Sequence, residues 1–447
     1  MKPVDLERHW MEAFAAQEAA RADEPARLAS ARGAAIARFA ELGFPARRHE
    51  EWKYTNPERI AKPPWRPAAA ASVSPAELAA LGLPLEAGPH LVFVNGRFEP
   101  ALSSLDGLEP GVVAGSFRTL LASDPDRLAP HLGVAEPFED RAFAALAVAF
   151  APDGAFIAVP RDAALAQPLL VVFVGVPAAE PSAAHPRLVA LAGPGSRATL
   201  IEIYVTAAGD AGGGAQLTNA LGEIAVGENA ELEHVVLALE ARSATHLAHR
   251  HGSVARDGRL TSHGISLGAA LARHDLVGTL AGAGAACALN GLYVAADGQH
   301  VDIRTTVDHR APHGASRELY KGVLAGKSRG IFNGKVLVRR DAQKTDAQQK
   351  NDNLLLSGEA EVDSKPQLEI EADDVRCSHG STIGQLDADA LFYLRARGLD
   401  SGEARGLLTR AFTAPITEAL PIAALREQVE AEVRARVAAA LERAEAA

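Results

Sequence analysis

The chain has 447 residues, of which 48% are hydrophobic and 5% aromatic, and its formal net charge is −11 at pH 7. This length predicts two or three domains, and the negative charge argues against nucleic acid or an anionic membrane surface as the main partner. The sequence has no apolar run of about 18 residues, no apolar signal core at its start and only two cysteines, so we expect a cytoplasmic protein without membrane spans or disulfides.

Residues 1–56 are predicted to form an N-terminal helical region. The break around Asp23, Glu24 and Pro25 predicts two helices within residues 4–42 rather than one. Apolar residues recur with helical spacing on both sides of the break, at Leu6, Trp10, Met11 and Phe14, then at Ile36, Phe39 and Leu42. We interpret the string RRHEEWKYT at 47–55 as an amphipathic segment whose aromatic side chains dock the helices onto the next domain.

Residues 57–153 are predicted to form a linker followed by a mixed α/β segment. The stretch from Pro57 to about Pro75 is rich in Pro and Ala, which is typical of a linker. HLVFVNGRF at 90–98 predicts a hairpin with Asn95 and Gly96 at its turn. Two further segments, 117–133 and 138–151, have helical patterns.

Residues 154–387 are predicted to form a β core built from short alternating strands. In one strand Val301, Ile303 and Val307 face one side, and charged residues occupy the alternate positions. Turn glycines recur, mostly at a spacing near 30 residues, at Gly227, Gly258, Gly284, Gly298, Gly326 and Gly358. This spacing favours a β-helix-like solenoid, with a two-sheet sandwich as the alternative.

Residues 388–447 are predicted to be helical again. A helix over 386–399 is expected to begin at Asp387 and end at Gly398, with Leu391, Tyr393 and Leu394 as apolar anchors. The next helix carries an apolar stripe at Leu407, Leu408, Phe412, Ile416 and Leu420. The last helix has only a thin apolar seam, which suggests docking on a neighbour.

Two glycine-rich strings do not satisfy nucleotide-binding patterns. KGVLAGKSRG at 321–330 has Lys321 where a phosphate-binding loop needs Gly, and a strand-like segment follows Ser328. GAGAAC at 282–287 has Cys287 where the dinucleotide pattern needs Gly. We therefore expect no nucleotide bound by this chain and a core position for Cys287.

Two groups of residues are candidates for metal chemistry. His249 and His251 share a strand face near His246, His263 and His274, but no ligand-forming Cys or carboxylate stands beside them, which favours solvated polar residues. Cys377 and His379 share a strand face just before the chain turns helical, and both are ligands that iron, zinc or copper accept. They are only two ligands, so a site there needs further ligands from another chain; a buried thiol beside a satisfied histidine is the alternative.

Four strings closely resemble the SufB/SufD family of the Suf iron–sulfur cluster assembly system: RRHEEWKYT at 47–55, SRGIFNGKVLVRRDAQKTDAQQKNDNLLLS at 328–357, KPQLEIEADDVRCSHGSTIGQLD at 365–387 and ALFYLRARG at 390–398. The string CSHG and the presence of only two cysteines are typical of the SufD branch rather than the cysteine-richer SufB branch. The resemblance implies a mainly β fold, with a right-handed parallel β-helix core flanked by N-terminal helical and mixed regions and by C-terminal helices.

The resemblance also implies a non-catalytic scaffold role. Such a subunit pairs with a SufB-like paralogue, and a transient iron–sulfur cluster forms at their interface. His379 then matches the cluster ligand or essential interface residue, and Cys377 has a more doubtful role. The helices between 401 and 422, with Leu407, Leu408, Phe412 and Ile416, match the region that docks the SufC-like ABC ATPase.

Several alternatives stay open at this point. These are a homodimeric, SufB-like scaffold that handles iron, a metal-storage protein using the histidine group, and a β-helix enzyme acting on polysaccharide. The sequence also leaves open whether a homodimer forms without the paralogue and whether a reduced flavin binds the complex.

Overall fold

The computed structural model describes residues 3–18, 21, 24–133, 138–207 and 214–446. The helices in these residues are α1 (Pro3–Glu18), α2 (Ala26–Leu42), α3 (Glu58–Ala61), α4 (Pro75–Ala80), α5 (Phe117–Ser123), α6 (Pro125–Leu128), α7 (Ala142–Phe150), α8 (Ala388–Ala396), α9 (Ser401–Thr417) and α10 (Ala423–Ala446). In the described residues, no helix has the length and apolar character needed to cross a membrane.

The strands form two long sheets. They are β1 (Arg66–Pro67), β2 (His90–Val94), β3 (Arg97–Phe98), β4 (Val113–Ser116), β5 (Ala155–Val159), β6 (Leu169–Gly175), β7 (Ser182–Ala184), β8 (Arg187–Ala192), β9 (Arg197–Thr206), β10 (Gln216–Val226), β11 (Glu231–Ala238), β12 (Ala244–Val254), β13 (Arg259–Ser266), β14 (Leu271–Leu280), β15 (Ala286–Ala296), β16 (His300–His309), β17 (Ala315–Ala325), β18 (Arg329–Val338), β19 (Asp346–Leu355), β20 (Glu361–Ile370) and β21 (Arg376–Gly384).

Successive strands alternate between the two sheets, so the chain winds as a parallel β-solenoid of about eight turns. One sheet runs from β4 through β5, β8, β10, β12, β14, β16 and β18 to β20, and the other from β3 through β2, β6, β9, β11, β13, β15, β17 and β19 to β21. Partner residues such as Arg304 and Asn333 are 29 residues apart, so one coil takes about as many residues as the turn glycines predicted. The β-helix prediction is confirmed, and the sandwich alternative is wrong.

The period of two that marks each strand separates an inner face from an outer face. Val301, Ile303 and Val307 lie in the core enclosed between the two sheets, as the alternation predicted. The turns between coils use left-handed backbone at Gly284, with φ 71°, and at Gly326, with φ 56°. The solenoid therefore follows from short alternating strands joined by tight turns.

The N-terminal helices cover the outer face of the sheet that contains β10, β12 and β14. Trp10, Phe39 and the fully buried helix α7 pack there against outward-facing leucines such as Leu221 and Leu247. The two-helix prediction for 4–42 is confirmed by α1 and α2, although Asp23, part of the predicted break, lies outside the described residues. The predicted hairpin is formed by β2 and β3, with positive φ at Asn95 and Gly96 as a two-residue turn requires.

The segment at 47–55 docks onto the solenoid as predicted. Trp52 is buried, and the guanidinium carbon of Arg273 on β14 lies 3.9 Å from the centre of its ring. Thr55 donates a 2.6 Å hydrogen bond to Asp302 on β16, which also accepts one of 2.9 Å from Arg273. The attachment therefore combines an aromatic contact with a buried ion pair, and the alternating pattern did not indicate the ion pair.

Two boundaries differ from the prediction. Residues 57–75 are not a free linker, because Ile60 and Trp65 are buried and β1 pairs with β7. The solenoid sheets also begin before residue 154, because β2 at 90–94 pairs in parallel with β6. A Pro/Ala-rich composition is equally compatible with an extended segment packed on a larger surface.

The C-terminal helices cover the outer face of the other sheet. Ile416 of α9 and Leu425, Val429 and Val433 of α10 join one apolar cluster with outward-facing residues such as Val323. The thin seam predicted for the last helix is thus the stripe that docks on this chain's own solenoid. Both broad faces are covered by helices, which leaves the last coil as an exposed end.

Candidate functional site

Strand β21 (Arg376–Gly384) ends its sheet. It pairs with β19 along one edge, and no strand of the described residues pairs with its other edge. The same holds for β20, which pairs with β18 at the end of the other sheet. The last coil therefore presents two strand edges with free backbone hydrogen-bonding groups.

Cys377, His379 and Ser381 occupy the inward-facing positions of this last coil. In the register Cys377 lies beside Ala347, His379 beside Gln349 and Ser381 beside Asn351. The prediction that Cys377 and His379 share a strand face is confirmed. No further coil covers β21, so His379 is exposed although its position corresponds to the interior of the coils below.

The two side chains have different surroundings. Cys377 is half-buried against an apolar cluster that includes Val336 and Ala347, and burial raises the pKa of its thiol. A raised pKa disfavours the thiolate, which is the form that binds metal. His379 is exposed and makes no hydrogen bond to the described residues, so its side chain faces solvent or an outside partner. The imidazole of His379 is therefore more accessible than the thiol of Cys377.

The residues around this end do not complete a metal site. Among the described residues, no group of three or more His, Cys, Asp or Glu side chains is arranged to hold a metal ion. Cys377 and His379 thus provide two ligands at most, and a metal or cluster bound there would take the others from a second molecule.

A buried polar column lies directly below His379. Gln349, its neighbour in the register, donates a 3.0 Å hydrogen bond to Glu318, which sits one coil further in on β17. Thr305 on β16 bonds the second carboxyl oxygen of Glu318 across the interior at 2.5 Å. Burial raises the pKa of Glu318 to about 7. The column Glu318–Gln349–His379 connects the solenoid interior to the exposed imidazole.

A second polar row runs beside this column. Asn353 donates to Asn351 at 2.7 Å, and Ser364 donates to the same oxygen of Asn351 at 2.9 Å. Ser381 then donates to Ser364 at 2.8 Å at the exposed end. Sequence reasoning missed both rows, although Glu318, Asn351 and Asn353 at core-facing positions of alternating strands were the signal that could have revealed them.

The histidine group is dispersed rather than assembled. His249 and His251 do share the outer face of β12, but His249 is buried against the ring of Phe138, with a centroid distance of 5.2 Å. His246 and His274 lie inside the solenoid with their rings 4.8 Å apart, and His263 is on the other sheet. The expectation of solvated residues is wrong, because most of these histidines are buried, and the described residues offer no metal-storage site there.

Cys287 and the glycine-rich string at 321–330 have structural positions. Cys287 is buried in the solenoid core, as predicted, and burial raises the pKa of its thiol. The string spans the end of β17, a turn at Gly326 and the start of β18, so a strand follows Ser328 as predicted.

The four residues predicted to dock an ATPase are in different environments on α9. Leu407 is 46% exposed, and Leu408 and Phe412 are half-buried. Ile416 of α9 is fully buried against the solenoid, where it anchors the helix. The prediction that Ile416 lies on a docking surface is therefore wrong. Leu407 lines a groove of about 860 Å³ between α9 and α10. Within this groove Arg410 of α9 and Glu430 of α10 form an ion pair of 3.0 Å.

Helix α8 adds an apolar surface beside this groove. It begins at Asp387, whose carboxylate accepts a hydrogen bond from the Ala390 amide, and Gly398 follows with φ 97°, both as predicted. Its predicted anchor Tyr393 is instead 56% exposed, and Phe392 is 75% exposed. Two adjacent exposed aromatic side chains on one helix are typical of an interaction surface.

Known families match this chain along most of its length. Residues 174–412 match the SufBD core domain of the SUF system for FeS cluster assembly, and residues 4–171 match the SufBD protein N-terminal region. The chain belongs to the SufBD family. The solenoid, the exposed CSHG strand and the C-terminal helices described above are therefore features of a SufBD protein.

Individual relatives in this SufBD family match about two thirds or more of the chain. The iron–sulfur cluster assembly protein SufD of Escherichia coli is 38% identical over 88% of this chain and 90% of its own length. A SufBD family protein of Synechocystis is 32% identical over 92% of this chain and 91% of its own. The SufD protein of Bacillus subtilis is 26% identical over 67% of this chain and 68% of its own. The predicted resemblance to the SufD branch is confirmed.

Proposed function

We propose that this SufBD protein is a non-catalytic scaffold subunit that pairs with a SufB-type paralogue and carries a SufC-type ABC ATPase. The observation that carries the proposal is the placement of His379, an exposed histidine on the last strand of the solenoid, whose outer edge pairs with no strand of the described residues. An incomplete ligand set beside free strand edges suits a site that a second chain completes.

The paralogue adds its own last strands to the edges of β20 and β21. This pairing satisfies the free backbone groups and brings cysteines of the paralogue opposite His379. A nascent iron–sulfur cluster is the cargo of this junction: His379 supplies an imidazole ligand and the paralogue supplies thiolates. An imidazole-ligated iron is released more readily than an all-thiolate one, which suits a cluster that passes to apo-proteins.

The ATPase docks on the C-terminal helices. Leu407 at the groove between α9 and α10, with Phe392 and Tyr393 on α8, provides the exposed apolar surface that such contact needs. Because α9 and α10 pack on the same sheet that ends in β21, movement of the ATPase is transmitted to the junction. Nucleotide hydrolysis thereby acts on a cluster site in a chain that itself needs no nucleotide.

The test is cluster assembly by the purified complex. This chain, the host's SufB-type paralogue and its ATPase are co-purified, supplied with ferrous iron and sulfide, and assayed by visible absorption and by cluster transfer to an apo-ferredoxin. The His379→Asn variant should lower the cluster yield by about tenfold or more. Loss of a residue that merely hydrogen-bonds a metal ligand already lowers metal affinity by about tenfold or more, and loss of a ligand should cost at least as much. Folding should be unchanged, because the side chain is exposed in the free chain, and the complex should still form, because Asn is smaller than His and introduces no charge at the junction.

A matched control is His313→Asn. His313 is an exposed histidine in a turn with φ 62°, a conformation that Asn tolerates, so this variant removes an imidazole from a turn two coils below the start of β21. It should assemble clusters as the unmodified chain does. Normal cluster yield with His379→Asn would overturn the assignment of His379, and complexes that never accumulate a cluster would overturn the scaffold role.

A further inference from the structure

A pocket of about 370 Å³ lies where the N-terminal helices meet the start of the solenoid. Three arginines from separate segments line it: Arg21 between α1 and α2, Arg97 on β3 and Arg118 on α5. Phe98 and Pro152 form its apolar part, and Glu24 and Asp153 complete the lining. None of these residues belongs to the junction or to the C-terminal groove.

The three guanidinium groups retain unused capacity to bind an anion. Arg21 donates to Gln17 with one nitrogen, but its other terminal nitrogen, Nη1, is buried without a hydrogen-bond partner among the described residues. Among the described residues, Arg97 donates only to the backbone carbonyls of Ala68 at 3.0 Å and Asn95 at 3.4 Å, which carry no charge. A buried donor without an acceptor is costly, and a ligand oxygen removes that cost.

The charges of the arginines also act on one another. The pKa of Arg21 is lowered to about 10, mainly by burial; the charge of Glu24 opposes this shift, and the neighbouring charges of Arg97 and Arg118 contribute to it. Arg118 is exposed at the mouth of the pocket, and its guanidinium makes no hydrogen bond to the described residues. Three arginines gathered in one pocket repel one another, and a bound anion would offset their positive charge.

The two carboxylates in the lining do not neutralise the positive charge of these arginines. Glu24 is already paired with Arg32 at 2.6 Å, in a contact where both side chains are nearly inaccessible. Asp153 accepts hydrogen bonds from the backbone amides of Gly154 at 2.9 Å and Arg118 at 3.1 Å. Burial raises the pKa of both carboxyl groups.

We propose that this pocket binds a small anion with two or more negative charges on phosphate or carboxylate groups, whose apolar part packs on Phe98. Guanidinium forks match the paired oxygens of both groups. The chain as a whole carries a net charge of −11, so attraction of an anion requires such a local concentration of arginines. A ligand there joins three separate segments and so strengthens the attachment of the N-terminal helices to the solenoid.

The experiment is isothermal titration calorimetry of the full chain with inorganic phosphate, pyrophosphate and citrate at low ionic strength. We expect one site per chain, tighter for pyrophosphate than for phosphate, and weakened by added NaCl. Tight binding of pyrophosphate but not citrate identifies phosphate as the recognised group, and the reverse identifies carboxylate. The best anion should also raise the unfolding temperature, because it binds only the folded chain.

Variants at the pocket separate specific binding from general charge. Arg118→Gln should lower the affinity for the tightest-binding anion by about tenfold, the loss expected for one charge-assisted contact. Arg118→Lys should give an intermediate affinity. Arg340→Gln makes the same change of net charge at an exposed arginine after β18 and should leave the affinity unchanged. Absence of binding at millimolar anion, or equal affinity in the Arg118→Gln and Arg340→Gln variants, would overturn the proposal. The outcome is independent of the cluster assay, which reads a different end of the molecule.

Discussion

Inward-facing polar residues stack on one another in the last coils of the solenoid. Glu318, Gln349 and His379 occupy equivalent positions on successive strands of one sheet, so each stands directly above the one before. Gln349 donates a hydrogen bond to Glu318, and the outermost residue, His379, is left for solvent or a partner. At the scale of single residues, the site is the exposed end of a polar column.

Glu318 makes folding stability depend on pH. Burial raises its folded pKa from 4.5 to about 7, so the protonated form fits the interior. The unfolded chain ionises this carboxyl above about pH 4.5 and the folded chain only above about pH 7, so stability falls as pH rises between these values and the loss is complete above the folded pKa. A shift of this size corresponds to about 3 kcal/mol.

Glu318→Gln should therefore stabilise the protein at alkaline pH. Its free energy of unfolding at pH 8 should exceed that of the unmodified chain by up to about 3 kcal/mol, and the gain should shrink toward pH 5. Urea denaturation between pH 5 and pH 9 measures this. Glu359→Gln, at an exposed turn, is the matched control and should leave the pH profile unchanged. Parallel profiles for the unmodified chain and Glu318→Gln would contradict a buried neutral carboxyl.

At the scale of elements, the two ends of the solenoid differ. At the N-terminal end, antiparallel strands β3 and β4 close the two sheets, whereas β20 and β21 leave them open at the other end. Ile370 on β20 is 42% exposed and Ile383 on β21 is 52% exposed. Open edges with exposed branched aliphatic residues predict strand addition by a partner rather than a solvated terminus.

Ile383→Asp should disrupt that pairing without unfolding the chain. A carboxylate at a contact that the paralogue buries leaves an unpaired charge, which should weaken the heterodimer by about a hundredfold. Calorimetric titration of the chain with the paralogue measures the change. Leu105→Asp places the same charge at a leucine that is 37% exposed elsewhere, and should not affect pairing. Equal affinities for the two variants would place the paralogue on another surface.

Helix α9 has one face for its own solenoid and another for a partner. Ile416 belongs to the apolar cluster under the C-terminal helices, whereas Leu407 on the same helix is exposed beside the groove. The sequence shows both residues in one stripe, and only the packing separates them.

Leu407→Asp should weaken ATPase binding selectively. The charged side chain interrupts the apolar contact proposed for the groove, so affinity for the ATPase should fall by about tenfold or more while the thermal unfolding temperature stays the same. Surface plasmon resonance with immobilised ATPase measures the loss. Pairing with the paralogue provides an internal control, because the last coil is untouched. An unchanged ATPase affinity would move the docking surface toward Phe392 and Tyr393 on α8.

At the scale of the whole molecule, the solenoid carries the N-terminal helices on one sheet and the C-terminal helices on the other. Its open end is therefore free for the proposed paralogue, and the proposed ATPase surface lies on the helices that pack against the sheet ending in β21. The two proposed partners occupy different surfaces, so both can bind at the same time.

Much of this organisation could be predicted from the sequence. Local alternation determines which side of a strand Val301 or His379 faces, and coil length follows from turn glycines such as Gly284 and Gly326. Exposure could not be predicted in this way, because it depends on what packs above a strand. Alternation alone gives Ile416 and Leu407 the same environment, and it does not show that β21 has no neighbour. The arginine pocket joins residues 21, 97 and 118, whose proximity only the folded chain reveals.

The most direct test of the scaffold account is the mass of the complex that this chain forms. Co-expression with the host's SufB-type paralogue and SufC-type ATPase, followed by native mass spectrometry, should give one copy of this chain, one paralogue and two ATPases. That mass would support pairing at the last coil and ATPase docking on the C-terminal helices together. Recovery of this chain alone, or only as a homodimer, would contradict the proposed pairing and leave the SufBD family membership without the proposed scaffold role.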